Sequence, residues 1–205
     1  MQIKNNSRRN ALARVSQILA LTVIGNGYSW AQDAHSGHDM SEAVKRSMVN
    51  VKITPTPLVR QDGTKTTLSK ELEGNKPTVL AFFYTSCSTV CPVTSQILAG
   101  IQNLLGKDLE DARIISISLD PEYDTPKRIL AYSKKFDAKP QWQHFTGTLQ
   151  GSIAAQKAFG AYRGDKMNHS PLIFVNSGGM KSWVQLEGFP SAEQVFKELQ
   201  SQKSS

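Results

Sequence analysis

An α/β sandwich, a central mixed β-sheet flanked by helices with an N-terminal β-hairpin, is the fold this sequence predicts. Three observations carry it. Short runs of β-formers recur at residues 78–84, 113–119 and 169–175. Between them the apolar spacing switches to the helical period. A second hairpin and a helix close the chain, so strands alternate with helices first and pair directly last.

The folded part is expected to begin near Ile53. Residues 58–60 and 64–68 flank Asp62-Gly63, the dipeptide of a tight hairpin turn. Residues 69–72 suit one helical turn, and Gly74-Asn75-Lys76-Pro77 leads into the strand at 78–84. The helix after it carries Val93, Ile97, Leu98, Ile101 and Leu104 or Leu105 on one side, and residues 106–111 form a loop. The strand at 113–119 is closed by Asp120-Pro121. Thr125-Pro126 then opens a helix running to about Phe136, because Thr suits the N-cap and Pro the first helical position. A short strand at 142–145, a helix at 149–159, the strand at 169–175 and a strand at 181–186 follow. A helix over 191–200 ends the series, with Val195, Phe196 and Leu199 as its apolar face. This order is that of a thioredoxin-type sandwich, with no internal repeat and no interdomain linker.

The chain has 205 residues and a formal charge of +7, from 24 basic and 17 acidic side chains. Residues 1–31 hold Lys4, Arg8, Arg9 and Arg14 and no acidic residue, so without them 20 basic side chains face 17 acidic ones. No basic stripe interleaved with aromatics is left, and nucleic acid is not an expected partner. Residues 1–31 read as a signal peptide: a cationic start, an apolar stretch from about Val15 to Ile24, then Ser29-Trp30-Ala31 as a small-x-small cleavage site. The expected location is an exported, periplasmic one, with an uncleaved N-terminal membrane anchor as the alternative. Residues 32–50 read as a flexible polar tail carrying His35, His38 and Met40, and residues 51–205 as the single folded domain.

Cys87 and Cys91 are the only cysteines. The strand at 78–84 delivers them to the start of a helix, where unpaired N–H groups and the helix dipole favour negative charge. Thiols so placed ionise more readily and become better nucleophiles and metal ligands. At this spacing the sulfurs can close a disulfide or grip one ion together.

The run Phe83-Tyr84-Thr85-Ser86-Cys87-Ser88-Thr89-Val90-Cys91-Pro92 resembles the aromatic-Thr-x-Cys-x-x-x-Cys-Pro motif of the Sco (SenC) family of copper-binding, thioredoxin-like proteins that assemble cytochrome c oxidase. Ser116-Ile117-Ser118-Leu119-Asp120-Pro121-Glu122-Tyr123-Asp124-Thr125-Pro126 is similar to that family's Ser-x-Asp-Pro-x-x-Asp-Thr-Pro loop. Phe145-Thr146-Gly147-Thr148 and His169, before a strand, follow in the same order, so the resemblance covers about Leu58 to Leu199. It implies that Cys87, Cys91 and His169 bind Cu(I) or Cu(II). Soft thiolates suit Cu(I), and an imidazole beside two sulfurs suits both oxidation states. Two departures are visible: Ser88-Thr89 stands where the family often has Pro-Asp, and Asn168 where it often has Asp. Asp120 and Asp124 are expected to serve the loop rather than the metal, and His144, a rival ligand, to be structural. The tail's His35, His38 and Met40 are either a loose copper site or a solvated leader.

Two functions compete on these residues. The first is a copper metallochaperone, with subunit II of cytochrome c oxidase, or another periplasmic copper protein, as the acceptor the resemblance implies. The second is a thiol-disulfide reductase in which Cys87 attacks, Cys91 resolves and a thioredoxin-like reductant restores the pair. His169 discriminates, because a dithiol reductase does not need it. A peroxidase is disfavoured: Leu80 and Tyr84 stand where the peroxiredoxin pattern has Pro and Thr.

Export has a direct test. Intact mass spectrometry of the protein from its native compartment should give a chain beginning at Gln32, and retention of the Met1 segment would mean an anchored protein.

Overall fold

The structure, a computed structural model, describes residues 44–105, 112–178 and 181–201. The signal segment, the site of its cleavage and the tail residues His35, His38 and Met40 lie outside these. Among the described residues no helix is long and apolar enough to cross a membrane.

The elements in chain order are β1 (Lys45–Asn50), β2 (Pro57–Arg60), β3 (Lys65–Thr67), α1 (Leu68–Glu71), β4 (Thr78–Phe83), α2 (Val90–Leu104), β5 (Arg113–Ser118) and α3 (Pro126–Lys135). Then come β6 (Trp142–Gly147), α4 (Leu149–Ala158), a 3₁₀ turn (Lys166–Asn168), β7 (Leu172–Asn176), β8 (Ser182–Glu187) and α5 (Ala192–Ser201). The strands form one mixed sheet in the order β1-β8-β7-β4-β5-β6-β2-β3. β5 runs parallel to both β4 and β6, and the other pairs are antiparallel. The expected α/β sandwich of thioredoxin type is thus the observed fold, hairpin included.

β4 is buried at all six positions, as a strand covered on both faces must be. Alternation sends Val79 and Ala81 to one core with Leu98 and Ile101 of α2 and Val195 and Leu199 of α5. Leu80 and Phe82 enter the other, beside Ala155 of α4, Phe159, Phe174 and Trp183. There the Phe159 ring packs edge-on against Phe82, Phe174 and Trp183 at centroid distances of 6.0, 5.0 and 5.1 Å. Thr125 and Thr148 cap α3 and α4 by accepting from Arg128 N–H and Gly151 N–H, which fixes where each helix leaves its strand.

Two expectations need correction. Residues 45–50, assigned to the flexible tail, form β1, paired antiparallel with β8 from Lys45↔Glu187 to Asn50↔Ser182. None of its six side chains is buried, so backbone pairing at a sheet edge holds it and no apolar pattern announces it. The buried face of α2 is also rotated from the one expected. Val93 is exposed, whereas Cys91, Thr94, Ser95, Leu98, Ile101 and Gln102 are buried. The buried polar residues are matched: Ser95 Oγ lies 2.8 Å from Tyr132 Oη, and Gln102 donates to Asp137 C=O and accepts from Lys139 N–H.

His144, on β6, is fully buried between the rings of Trp142, Phe83 and Tyr132. Neither ring nitrogen has a hydrogen-bond partner among the described residues. Its role is therefore structural, and burial pushes its pKa down to about 3. The unfolded chain takes up this proton near the ordinary histidine value while the folded chain refuses it. Stability is therefore complete above that value and is lost as pH falls toward 3, by roughly 1.4 kcal/mol per unit. Urea titrations from pH 7 to pH 4 should show this loss in the wild type and a flatter profile in His144→Leu. Equal slopes in the two proteins would mean that His144 is protonated in the folded state.

Candidate metal centre

β4 ends at Phe83, and residues 84–89 turn the chain into α2. Cys87 N–H donates to Tyr84 C=O at 3.2 Å, which folds the loop back on the strand end. Thr89 is the N-cap of α2, yet its side chain makes no capping hydrogen bond. The Cys87 sulfur takes that role: Cys91 N–H donates to Cys87 Sγ at 3.4 Å. Cys91 sits in the first turn of α2 while Cys87 precedes the helix, so the loop and not a helical repeat brings the thiols together.

The two thiols are electrostatically unlike. Burial pushes Cys87 up, but hydrogen bonds from the N–H groups of Cys91 and Thr89 outweigh it and leave its pKa below the ordinary thiol value. Cys91 is more deeply buried, 1% exposed against 7% for Cys87. Burial pushes its thiol well above the ordinary range, and the neighbouring Cys87 adds to the effect. Both are free thiols in this structure.

His169 ends the 3₁₀ turn that precedes β7. Its Nε2 lies 3.3 Å from Cys91 Sγ, and its Nδ1 lies 2.7 Å from Lys166 C=O. A carbonyl only accepts, so Nδ1 carries the proton and the Nε2 lone pair faces the thiols. One ligand atom each from Cys87, Cys91 and His169 falls within 4.8 Å of the others. Two sulfurs and a nitrogen thus converge on a space the size of one ion. The rival His144 does not join them.

Asp120 and Asp124 serve the frame, as expected of loop residues. The fully buried Asp124 carboxylate accepts from Thr85 N–H at 3.2 and 3.3 Å, from Thr85 Oγ1–H, and from Ser118 Oγ–H at 2.6 Å. It ties the thiol loop to the end of β5. Burial raises its pKa, while the bonds from Ser118 and Thr85 oppose the rise. Asp120 pairs with Lys166 at 2.5 Å, which fastens the turn carrying His169 to the same strand end. Tyr84 packs edge-on to the His169 ring at 5.3 Å, and its hydroxyl donates to Met167 Sδ at 3.4 Å. Burial and then the nearby Cys87 push its pKa up to about 12. The sequence offers no signal for the Lys166–Asp120 and Tyr84–Met167 contacts, which join residues 46 and 83 positions apart.

The asymmetry of the thiols is measurable. Alkylation of the reduced protein near neutral pH should modify Cys87 first, because its lowered pKa keeps thiolate present below the ordinary thiol range. Cys91 should react only well above that range. Peptide mass mapping across a pH series checks this, and equal or reversed labelling would contradict it.

Comparison with known proteins agrees with this architecture. A family model described as SCO1/SenC matches residues 50–202. The SCO1 protein homolog of Bacillus subtilis is 32% identical over 116 residues. That segment spans 55% of this chain and 59% of the relative's length. Among solved structures, a SCO1/SenC family lipoprotein from Bacillus anthracis superposes with a TM-score of 0.67 at 22% identity, covering 77% of this chain and 98% of that one. Bradyrhizobium japonicum ScoI, solved with copper bound, superposes with a TM-score of 0.61 at 26% identity, covering 75% and 98%. With a fold and a family match over residues 50–202 in agreement, this chain belongs to the SCO1/SenC family.

Proposed function

We propose that this protein is a copper metallochaperone that binds Cu(I) or Cu(II) through Cys87, Cys91 and His169. The observation that carries it is the convergence of two thiols and one imidazole within 4.8 Å. The copper-bound Bradyrhizobium relative supports the choice of ion, and so does ligand chemistry. Thiolates favour Cu(I), imidazole holds both oxidation states, and three ligands leave a structural zinc site short of its usual four. On loading, Cys87 and Cys91 give up their protons, so uptake is tighter at higher pH. The Nδ1–H bond to Lys166 C=O keeps the Nε2 lone pair available. The acceptor, following the family resemblance, is the copper site of cytochrome c oxidase subunit II, and the location is the exported, periplasmic one read from residues 1–31. The tail histidines His35 and His38, with Met40, would recruit copper to this centre.

The unequal thiols favour a second, compatible activity, thiol-disulfide reduction of the acceptor. Cys87 thiolate attacks one sulfur of the acceptor disulfide, and the other leaves as a thiolate that takes up a proton. Cys91 then loses its proton and attacks Cys87, releasing the second acceptor thiol and closing the Cys87–Cys91 disulfide. Two electrons pass to the acceptor, and a thioredoxin-like dithiol returns them.

Copper titration followed by absorption spectroscopy, paired with a disulfide-reduction assay, separates the two. The reduced wild type should take one ion, with sulfur-to-copper charge transfer in the Cu(II) form. His169→Ala should weaken Cu(II) binding by well over about tenfold while leaving disulfide reduction intact. Cys87→Ser or Cys91→Ser should abolish both activities. Wild-type Cu(II) binding by His169→Ala would leave the reductase as the better reading.

A further inference from the structure

We propose that Tyr84 is the positioning residue that sets His169 against the thiols. The inference deepens the copper reading above and rests on it. Three residues of the turn that carries His169 meet this one side chain. Its hydroxyl donates to Met167 Sδ at 3.4 Å, and its ring packs edge-on to the His169 ring at 5.3 Å. Lys166 Nζ lies over the same ring, 5.7 Å from its centroid. The main chain of Tyr84 serves the other half of the centre, because its C=O accepts from Cys87 N–H at 3.2 Å. Tyr84 follows directly on β4 and is 5% exposed, so it is itself held by the core. A single residue thereby touches both the loop that carries the thiols and the turn that carries the imidazole.

The need for such a clamp follows from how His169 is fastened. Its Nδ1 bonds to Lys166 C=O, which belongs to the same turn, so that bond sets the ring relative to the turn but not relative to the sulfurs. The turn is three residues of 3₁₀ helix, closed by single bonds from Asn168 N–H to Asp165 C=O and from His169 N–H to Lys166 C=O. So short a piece has little stiffness of its own. The Lys166–Asp120 pair ties it to the loop after β5, but the lysine reaches solvent, where an ion pair contributes little. Tyr84 ties it to the end of β4 from the buried side. Met167 then has a clear part. Its side chain is 70% exposed and gains little from burial, yet its sulfur lies against the tyrosine hydroxyl as the acceptor that fixes the tip of the ring. A ligand held in place before the ion arrives loses less freedom on binding, and the loss of such outer contacts weakens metal sites.

The reduced protein provides the test, first without copper. Tyr84→Phe keeps the ring and removes only the hydroxyl. In this variant amide hydrogen exchange at Asn168 and His169 should quicken roughly fivefold, as expected for the loss of one neutral hydrogen bond. Exchange at Phe174, inside β7, should stay at the wild-type rate. Met167→Leu should have the same effect, and the double variant should be no worse than either single one, because all three lose one contact. In copper titrations Tyr84→Phe should weaken Cu(II) binding roughly fivefold when His169 is present and not at all in the His169→Ala background. Unchanged exchange or wild-type Cu(II) affinity in Tyr84→Phe, or an equal loss of affinity with and without His169, overturns the inference while the copper reading stands. A wild type that takes up no copper overturns the copper reading and the inference together.

Discussion

An N–H group at the head of α2 with no conventional cap is the feature on which the centre depends. A helix start normally has its free donors met by an oxygen of the N-cap side chain. Here Thr89 makes no such bond, and the Cys87 sulfur accepts from Cys91 N–H. That one contact fixes the distance between the thiols and favours the thiolate of Cys87 over its thiol. A side-chain cap at Thr89 would compete for the same donors and return Cys87 toward ordinary thiol behaviour. Cys91, in the helix and facing the core, keeps its proton because burial outweighs the opposing backbone bond from Tyr84.

Around this contact a second layer holds the three segments in register. Asp124 accepts from the thiol loop and from Ser118, and Asp120 grips Lys166 on the turn that carries His169. Both carboxylates belong to the loop that follows β5, so one strand end positions the thiol loop and the histidine turn together. A buried carboxylate is tolerable only when its oxygens are satisfied, and Asp124 is fully engaged by Thr85 and Ser118. The site is thus built at the carboxyl ends of the parallel pair β4–β5, where both loops leave the sheet in the same direction.

The central elements are legible in the sequence because burial on both faces leaves a continuous apolar run in β4, because isoleucines at three of six positions mark β5, and because Thr125 and Thr148 mark their helix starts. β1 is not, since an edge strand with no buried side chain has only backbone pairing to define it. The face of α2 misleads because hydrogen bonding lets Ser95 and Gln102 enter the core in place of Val93. The cysteine pair is conspicuous by spacing alone. His169 is legible only through family resemblance, and the Tyr84–Met167 contact beside it not at all, because the partners are 78 and 83 positions apart along the chain.

Those separations have a consequence for the order of events in the protein's life. Cys91–His169, Thr85–Asp124 and Lys166–Asp120 each close a long loop, and no short segment contains two of them. An unfolded chain presents two thiols in a flexible stretch, without the imidazole, the capped geometry or the carboxylate frame. An ion that needs all of these binds the native chain alone and raises its stability by mass action. Loading must then follow folding, and a chain moved across a membrane unfolded would arrive empty and acquire its cargo on the side where it folds.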